Sequence, residues 1–524
     1  MPKVLISDKM NSLAAEIFEK SGVEVDVKPG MTPEELKACI GEYDGLAIRS
    51  STTVTEEILA AATNLKVVGR AGIGVDNVDI PAATQAGVVV MNTPFGNSIT
   101  TAEHAIALMF AVARQIPQAN ESTHAGKWEK SRFMGAELTG KTLGVLGCGN
   151  IGSIVASRGV GLKMNVIAFD PFLSPEKAEK MGVKKVELDD LFAQSDFITL
   201  HTPLNDKTRG IVDKTAFEKM KDGVRIVNCA RGGLIVESDL LEALNSGKVA
   251  GAALDVFEVE PAKENILFGH ENVICTPHLG ASTTEAQVNV AIQVAEQMAD
   301  FLMNGAVTNA LNMPSVSAEE APVLKPYLKL AEQLGSFSGQ ITQHALKKIE
   351  IEYQGEVSQV NIKPLTSTVL AFFLKPLLDN VNMVNAKQVA SSRGIDVSET
   401  TTESCSFRTA IKITVTTESR TRSVTGTLFA NGAPRIVNIE GVPIEGVISP
   451  DMLYIRNKDQ PGMIGGVGSI LADAKQNIAD FRLGRIEDKG TAIALISLDE
   501  ELPNDILAKL KDLPQIEQIK KLKF

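Results

Sequence analysis

The stretch Thr142-Leu143-Gly144-Val145-Leu146-Gly147-Cys148-Gly149-Asn150-Ile151-Gly152 decides the fold, because an apolar strand runs into GxGxxG and then into a helical sequence. Gly147 suits the tight turn, Gly149 lets backbone approach a pyrophosphate, and Gly152 lets the helix pack against the strand. The phosphates would then sit at the positive end of that helix. A second strand, Asn165-Val166-Ile167-Ala168-Phe169, follows and ends in Asp170. A carboxylate at that point accepts hydrogen bonds from the adenosine ribose hydroxyls and repels a 2′-phosphate, so NAD rather than NADP is the expected cofactor.

Further buried strands are expected at 197–200, 225–229, 250–254 and 272–275, enough for a complete doubly wound sheet. Upstream, short β-rich runs at 3–7, 23–27, 45–49, 66–70 and 88–92 alternate with helical stretches, the pattern of βαβ units on another parallel sheet. A long helix starts near Asn97-Ser98, either of which suits its cap. Another covers 287–303 and stops at Asn304-Gly305, where the chain is expected to return to the first lobe. A Pro/Ser/Ala/Glu-rich linker begins at Asn312-Met313-Pro314-Ser315. From Met452 the order strand, glycine turn, helix, strand, strand, helix, strand is that of a βαββαβ module. The predicted class is therefore α/β: two doubly wound parallel-sheet lobes, flavodoxin-like and Rossmann, then an α+β intervening domain and the βαββαβ domain. The boundaries read as 1–96 plus 287–314, 97–286, 315–450 and 451–524.

At 524 residues the chain is too long for one core. With 44% apolar and 22% charged residues it has the composition of a globular protein. A net charge of −12 argues against nucleic-acid and anionic-membrane partners, which need a basic field. The opening run from Met1 reads as a first strand rather than a signal-peptide core, and the longest wholly apolar run, 105–113, is far short of a bilayer span. Cys39, Cys148, Cys229, Cys275 and Cys405 lie far apart, without a CxxC pair, so neither a disulfide framework nor a metal site is expected, and a reducing cytoplasm is the expected home.

Ligands of doubly wound sheets bind at the carboxyl ends of strands. Arg231, Glu260 and His278 each follow a predicted strand of the second lobe. Hydride transfer to a 2-keto acid needs these three kinds of group. A guanidinium fixes the substrate carboxylate and polarises the carbonyl, an imidazole moves the hydroxyl proton, and a carboxylate sets its tautomer. Asp255, just upstream, is a candidate cofactor contact.

Several long strings bear a resemblance to a known family: 69–79 (Gly-Arg-Ala-Gly-Ile-Gly-Val-Asp-Asn-Val-Asp), the glycine loop, His201-Thr202-Pro203-Leu204, 227–233 ending in Ala230-Arg231-Gly232-Gly233, 253–257, and Pro277-His278-Leu279-Gly280-Ala281-Ser282-Thr283. By these the chain resembles the D-2-hydroxyacid dehydrogenases, and within them the long-form branch that oxidises 3-phospho-D-glycerate to 3-phosphohydroxypyruvate on the way to L-serine. The resemblance implies cofactor contacts from Gly147, Gly149, Asn150, Ile151, Gly152, Asp170, Thr202, Cys229, Ala230, Arg231, Asp255, His278, Gly280 and Ala281. It implies substrate contacts from Arg49, Ser50, Arg70, Gly72, Arg231 and His278. Arg49 and Ser50 look like the phosphate holders, and charge-assisted donors after a strand suit an oxyanion.

The same resemblance makes 126–132 a dimer-forming arm, with a homodimer or homotetramer expected. It makes the tail an ACT module in which Asp459 and Asn477 would bind an effector, with serine as the expected one. Asn457 and Asp459 stand where some relatives carry His and Asn, which leaves the effector open. Two other activities stay open: a dehydrogenase for another D-2-hydroxy acid, of the 2-hydroxyglutarate, glyoxylate or lactate type, and a non-catalytic NAD-sensing corepressor.

Overall fold

The computed structural model describes residues 1–316, 319–378, 381–486 and 490–524. Its first sheet holds β1 (Lys3–Ile6), β2 (Glu24–Val27), β3 (Gly45–Ile48), β4 (Val67–Arg70) and β5 (Val89–Asn92), all parallel, in the order β2-β1-β3-β4-β5. β3 and β5 are buried along their whole length, as strands with helices on both faces must be. The second sheet holds β6 (Thr142–Leu146), β7 (Asn165–Phe169), β8 (Lys184–Lys185), β9 (Phe197–Leu200), β10 (Val224–Asn228), β11 (Val249–Leu254) and β12 (Val273–Cys275), in the order β12-β11-β10-β9-β6-β7-β8. The predicted strands are all present. The two-residue β8 is an addition, too short and too polar to stand out in the sequence.

Two long helices tie the lobes together. The helix Ser98–Arg114 buries Ala105, Leu108, Met109 and Val112 against Leu143, Val145, Val227 and Ala253 of the second sheet. The helix Thr284–Asn304 is capped by the Thr283 hydroxyl and stopped by Gly305 at φ 72°. Its Val290, Ala291, Val294, Ala295 and Met298 pack with Val4, Ile6, Val67 and Val89 of the first sheet, so the chain crosses back to the lobe it started from.

Beyond residue 319 the third sheet is mixed. It holds β13 (Leu346–Gly355), β14 (Asp396–Thr402), β15 (Thr409–Thr417), β16 (Thr421–Leu428), β17 (Pro434–Ile439) and β18 (Val442–Gly446), in the order β14-β13-β15-β16-β17-β18, with helices Glu320–Ile341 and Lys363–Leu374 packed against it. The fourth is antiparallel: β19 (Asp451–Lys458), β20 (Ile478–Arg485), β21 (Thr491–Leu498) and β22 (Ile516–Lys523), in the order β20-β21-β19-β22.

Period-two alternation gives β19 two separate tasks. Leu453 and Ile455 face the helices Met463–Asp473 and Asn504–Lys511, while Met452 and Tyr454 join the core of the preceding domain, with Tyr454 edge-on to Phe337 at 5.9 Å. Arg422 and Arg456 meet at Glu440 across the same seam, and Arg422 also donates to Gln518 and to the Ile341 carbonyl. No helix among the described residues is long and apolar enough to cross a membrane.

Candidate active site

The carboxyl ends of the two parallel sheets face each other across a cleft. Two cavities, of about 870 and 640 Å³, share Arg70, Phe257, Glu260, His278 and Ala281 and so form one continuous space. Arg49, Ser50, Arg70 and Gly72 line its first-lobe side. Asn150, Ile151, Thr202, Cys229, Ala230, Arg231 and Gly280 line its second-lobe side.

The glycine loop is shaped for a pyrophosphate. Gly147 has φ 91°, a conformation costly for any residue with a Cβ. A Cβ on Gly152 would stand 1.9 Å from the Gly147 carbonyl oxygen, and one on Gly149 would meet nothing, so the loop is tight beneath and open above. Gly149 is the cap of the helix Asn150–Gly161. Asp170, after β7, accepts the Cys148 N–H at 2.8 Å and the Phe172 N–H at 2.7 Å, which ties the loop to the residue expected to select NAD. After β9, burial of the His201 ring drives its pKa down to about 3, so it stays neutral. Its Nδ1 and the Thr202 hydroxyl are buried without a hydrogen-bond partner among the described residues, as expected of groups that meet a ligand. The residues present therefore fit a dinucleotide.

Arg231 rides on a turn stapled by Asn228, whose Oδ1 accepts the Ala230 N–H at 3.0 Å and whose Nδ2 donates to the Arg231 carbonyl at 2.9 Å. His278 and Glu260 are paired, Nδ1 to Oε2, at 2.6 Å. The other Glu260 oxygen accepts the Phe257 N–H at 3.0 Å. Burial works against the Glu260 charge, but His278, the Phe257 N–H and the charge of Arg231 outweigh it, so the carboxyl titrates below the ordinary glutamate value. With Nδ1 engaged by Glu260, Nε2 is the ring nitrogen left to His278, which lines both cavities. Arg70 is brought down to about 10 by burial, and then by the charges of Arg231 and Arg49, the signature of cations gathered for an anion.

Asp255 is turned inward. It is 0% exposed, and its carboxylate accepts from the Thr276 hydroxyl at 2.6 Å and from the Leu279 and Gly280 N–H groups at 2.7 and 2.9 Å, with His104 Nε2 at 3.2 Å. It thereby pins the loop that carries His278, which stands at φ 54°. His104, Cys229 and Asp255 have a metal-like spacing. Burial, however, pushes the Cys229 thiol well above its usual range, and a neutral thiol beside a saturated carboxylate is a poor ligand set.

Three contributors had not been singled out from the sequence. Asp8 accepts the Arg49, Ser51 and Thr52 N–H groups at 2.6, 3.2 and 3.2 Å and so shapes the loop that holds Arg49. Asp76 pairs with Arg231, and His104 lies behind Asp255. Asp8 follows β1 and was open to the same strand-end reasoning, and Asp76 lies within the string 69–79; His104, on a helix, carries no local signal.

The effector candidates are not brought together. Asp459, beside Gly490, lies at one end of β21 and Asn477, bonded to Asp499 at 2.6 Å, at the other. An eight-residue strand separates the two by roughly 23 Å.

Residues 106–280 match the family model described as D-isomer specific 2-hydroxyacid dehydrogenase, NAD binding domain. The two lobes and the Arg–Glu–His cleft thus define an NAD-dependent 2-hydroxyacid oxidoreductase. Residues 323–440 match the D-3-phosphoglycerate dehydrogenase intervening domain, and 452–515 match the ACT domain. D-3-phosphoglycerate dehydrogenase of Bacillus subtilis is 43% identical over 99% of each chain, that of Archaeoglobus fulgidus 43% over 98% of each, and that of Rattus norvegicus 37% over 96% of each. The chain belongs to the D-3-phosphoglycerate dehydrogenase family.

Among solved structures, a glyoxylate reductase from Paecilomyes thermophila (33% identity, TM-score 0.56) covers 59% of this chain and 98% of its own. The D-lactate dehydrogenase of Escherichia coli (29%, TM-score 0.53) covers 59% and 100%.

Proposed function

We propose that the chain oxidises 3-phospho-D-glycerate to 3-phosphohydroxypyruvate, the entry step to L-serine. The observation that carries this reading is the gathering of Arg49, Arg70 and Arg231 around the His278–Glu260 pair, since a substrate with both a phosphate and a carboxylate needs more cationic donors than a simple hydroxy acid. Arg49 and Ser50 hold the phosphate, with Arg70 and Gly72 alongside. The outer N–H groups of Arg231 take the carboxylate and polarise the C2 oxygen. His278 Nε2 removes the hydroxyl proton as hydride leaves C2, and Glu260 stabilises the resulting imidazolium. NAD supplies the hydride acceptor, held by Gly147, Gly149, Asn150, Ile151, Gly152, Asp170, Thr202, Cys229, Ala230, Gly280 and Ala281. Asp255 acts on the cofactor through the loop it pins.

The domains we assign are 1–96 with 287–314, 97–286, 315–450 and 451–524. An effector site using Asp459 and Asn477 needs two chains, one supplying each. The exposed Trp128, 79% accessible on the arm 126–132, supports a homodimer or homotetramer. Five unpaired cysteines suit a cytoplasmic setting.

The test is NADH formation from 3-phospho-D-glycerate, with 2-hydroxyglutarate, glycolate and D-lactate as competitors, in the wild type and Arg49→Ala. Loss of phosphoglycerate turnover in the variant, with unphosphorylated acids little changed, supports the assignment. Equal use of all four by both proteins would replace it with a broader dehydrogenase. No NADH from any of them would favour an NAD-sensing corepressor.

A further inference from the structure

Arg231 belongs to the second lobe, yet its guanidinium is held from the first. Asp76, in the turn after β4, accepts the Arg231 Nε–H at 2.7 Å. Arg231 Nη1 donates to the Ala230 carbonyl at 2.6 Å. A Cβ on Gly74 would stand 1.7 Å from Arg231 Nη2 and 3.1 Å from the Asp76 carboxylate, so the backbone of the turn is flush against the pair.

Asp76 has no other task in the turn. Its carboxylate makes no other hydrogen bond among the described residues, and the neighbouring helix Ile80–Gln85 is capped by Asp79, which accepts the Ala82 N–H at 2.9 Å. The contact adds little to stability, because Asp76 is 66% exposed at the side chain and solvent screens the charge. What it does fix is orientation. A guanidinium gripped at Nε and at one Nη1 hydrogen keeps its plane, leaving one hydrogen on Nη1 and both on Nη2, the edge a carboxylate takes bidentately.

We propose that Asp76 is a positioning residue, clamping the Arg231 guanidinium from across the cleft so that its Nη edge faces the substrate carboxylate. This rests on the reading of Arg231 as the carboxylate holder. It also joins substrate binding to the relative placement of the two lobes, since the clamp exists only while Asp76 and Arg231 face each other. The opposite role for the same contact is simple competition: an exposed carboxylate beside Arg231 and Arg70 would repel an incoming anion, and its removal would tighten binding.

The two roles differ in sign, so kinetics separates them. The full-length enzyme is assayed as Asp76→Ala, Asp76→Asn, Arg231→Lys and the Asp76→Ala/Arg231→Lys double variant, with kcat and KM measured for phosphoglycerate and for NAD. Asp76→Ala is expected to lower kcat/KM for phosphoglycerate by roughly tenfold, the lower end for a charge-assisted hydrogen bond given the exposure of Asp76, with KM for NAD changed less than about twofold. Asp76→Asn, whose carboxamide oxygen still accepts from Nε, recovers most of the loss. Lysine has no planar fork, so Asp76→Ala adds almost nothing in the Arg231→Lys background. A lower KM in Asp76→Ala, an unchanged kcat/KM, or losses that add fully in the double variant would overturn the proposal. If Arg231→Lys itself leaves kcat/KM unchanged, the assignment of Arg231 fails first, and the clamp with it.

Discussion

Replacing Glu260 with glutamine removes one acceptor from a residue that uses both. Glu260 Oε1 takes the Phe257 N–H at 3.0 Å and Oε2 takes His278 Nδ1 at 2.6 Å. A carboxamide has a single oxygen, so the variant keeps one contact and turns an NH2 toward the other. A hydrogen bond to a charged group contributes about 1.5–3 kcal/mol. Glu260 and His278 side chains are 33% and 49% exposed, which puts this pair at the lower end. About 1.4 kcal/mol corresponds to about tenfold in rate. Because the Glu260 charge stabilises the imidazolium formed as the proton leaves the substrate, its removal is expected to lower kcat about tenfold, with KM for NAD little changed. The assay is kcat with phosphoglycerate at saturating NAD. An unchanged kcat would refute the coupling of Glu260 to the proton carrier.

Asp170→Ala removes the acceptor for the Cys148 and Phe172 amides together with the charge facing the ribose. KM for NAD is expected to rise about tenfold or more while NADP is discriminated against less, measured by parallel titrations. Gly72 has φ 146°, and a Cβ there would stand 1.5 Å from Arg70 Nη1, so Gly72→Ala is expected to raise KM for phosphoglycerate by displacing Arg70; an unchanged KM would show that Arg70 does not touch substrate. Thiol labelling of the native protein at pH 8 should modify Cys405 well before Cys148 and Cys229, which burial holds in the thiol form, and rapid modification of Cys229 would contradict this. Asp44, Asp196, Asp255 and Glu260 all titrate below their ordinary values in the folded chain. Their contribution is fully present above the unfolded carboxylate range and is lost as pH falls through the folded values, so melting temperature should drop steeply below about pH 4.

The catalytic half was legible because its chemistry lies at strand ends, where local sequence reports location. Arg231, Glu260 and His278 each follow a strand whose apolar run is readable, and the glycine loop carries its own geometry. Within 315–450 the sequence shows only an α+β domain, without the six strands of its sheet. Its β14, Asp396-Val397-Ser398-Glu399-Thr400-Thr401-Thr402, is an edge strand of mostly polar residues with no apolar face to announce it. Asp459 and Asn477 were paired by resemblance, but register along β21 places them at opposite ends. Separation along a sheet depends on pairing partners, which no local pattern states.

By itself, then, the sequence determined that there are two parallel-sheet lobes, that NAD is the cofactor, and which strand ends carry the candidate reacting groups. Periodicity, turn glycines and residue type act within a few positions of one another. Only the tertiary structure decided which groups face which: that Asp76 grips Arg231 from the other lobe, that Asp8 shapes the Arg49 loop, and that Asp255 braces His278 from within the core. These contacts join residues far apart in the chain, and they exist because packing of the helices Ser98–Arg114 and Thr284–Asn304 sets the lobes face to face across the cleft.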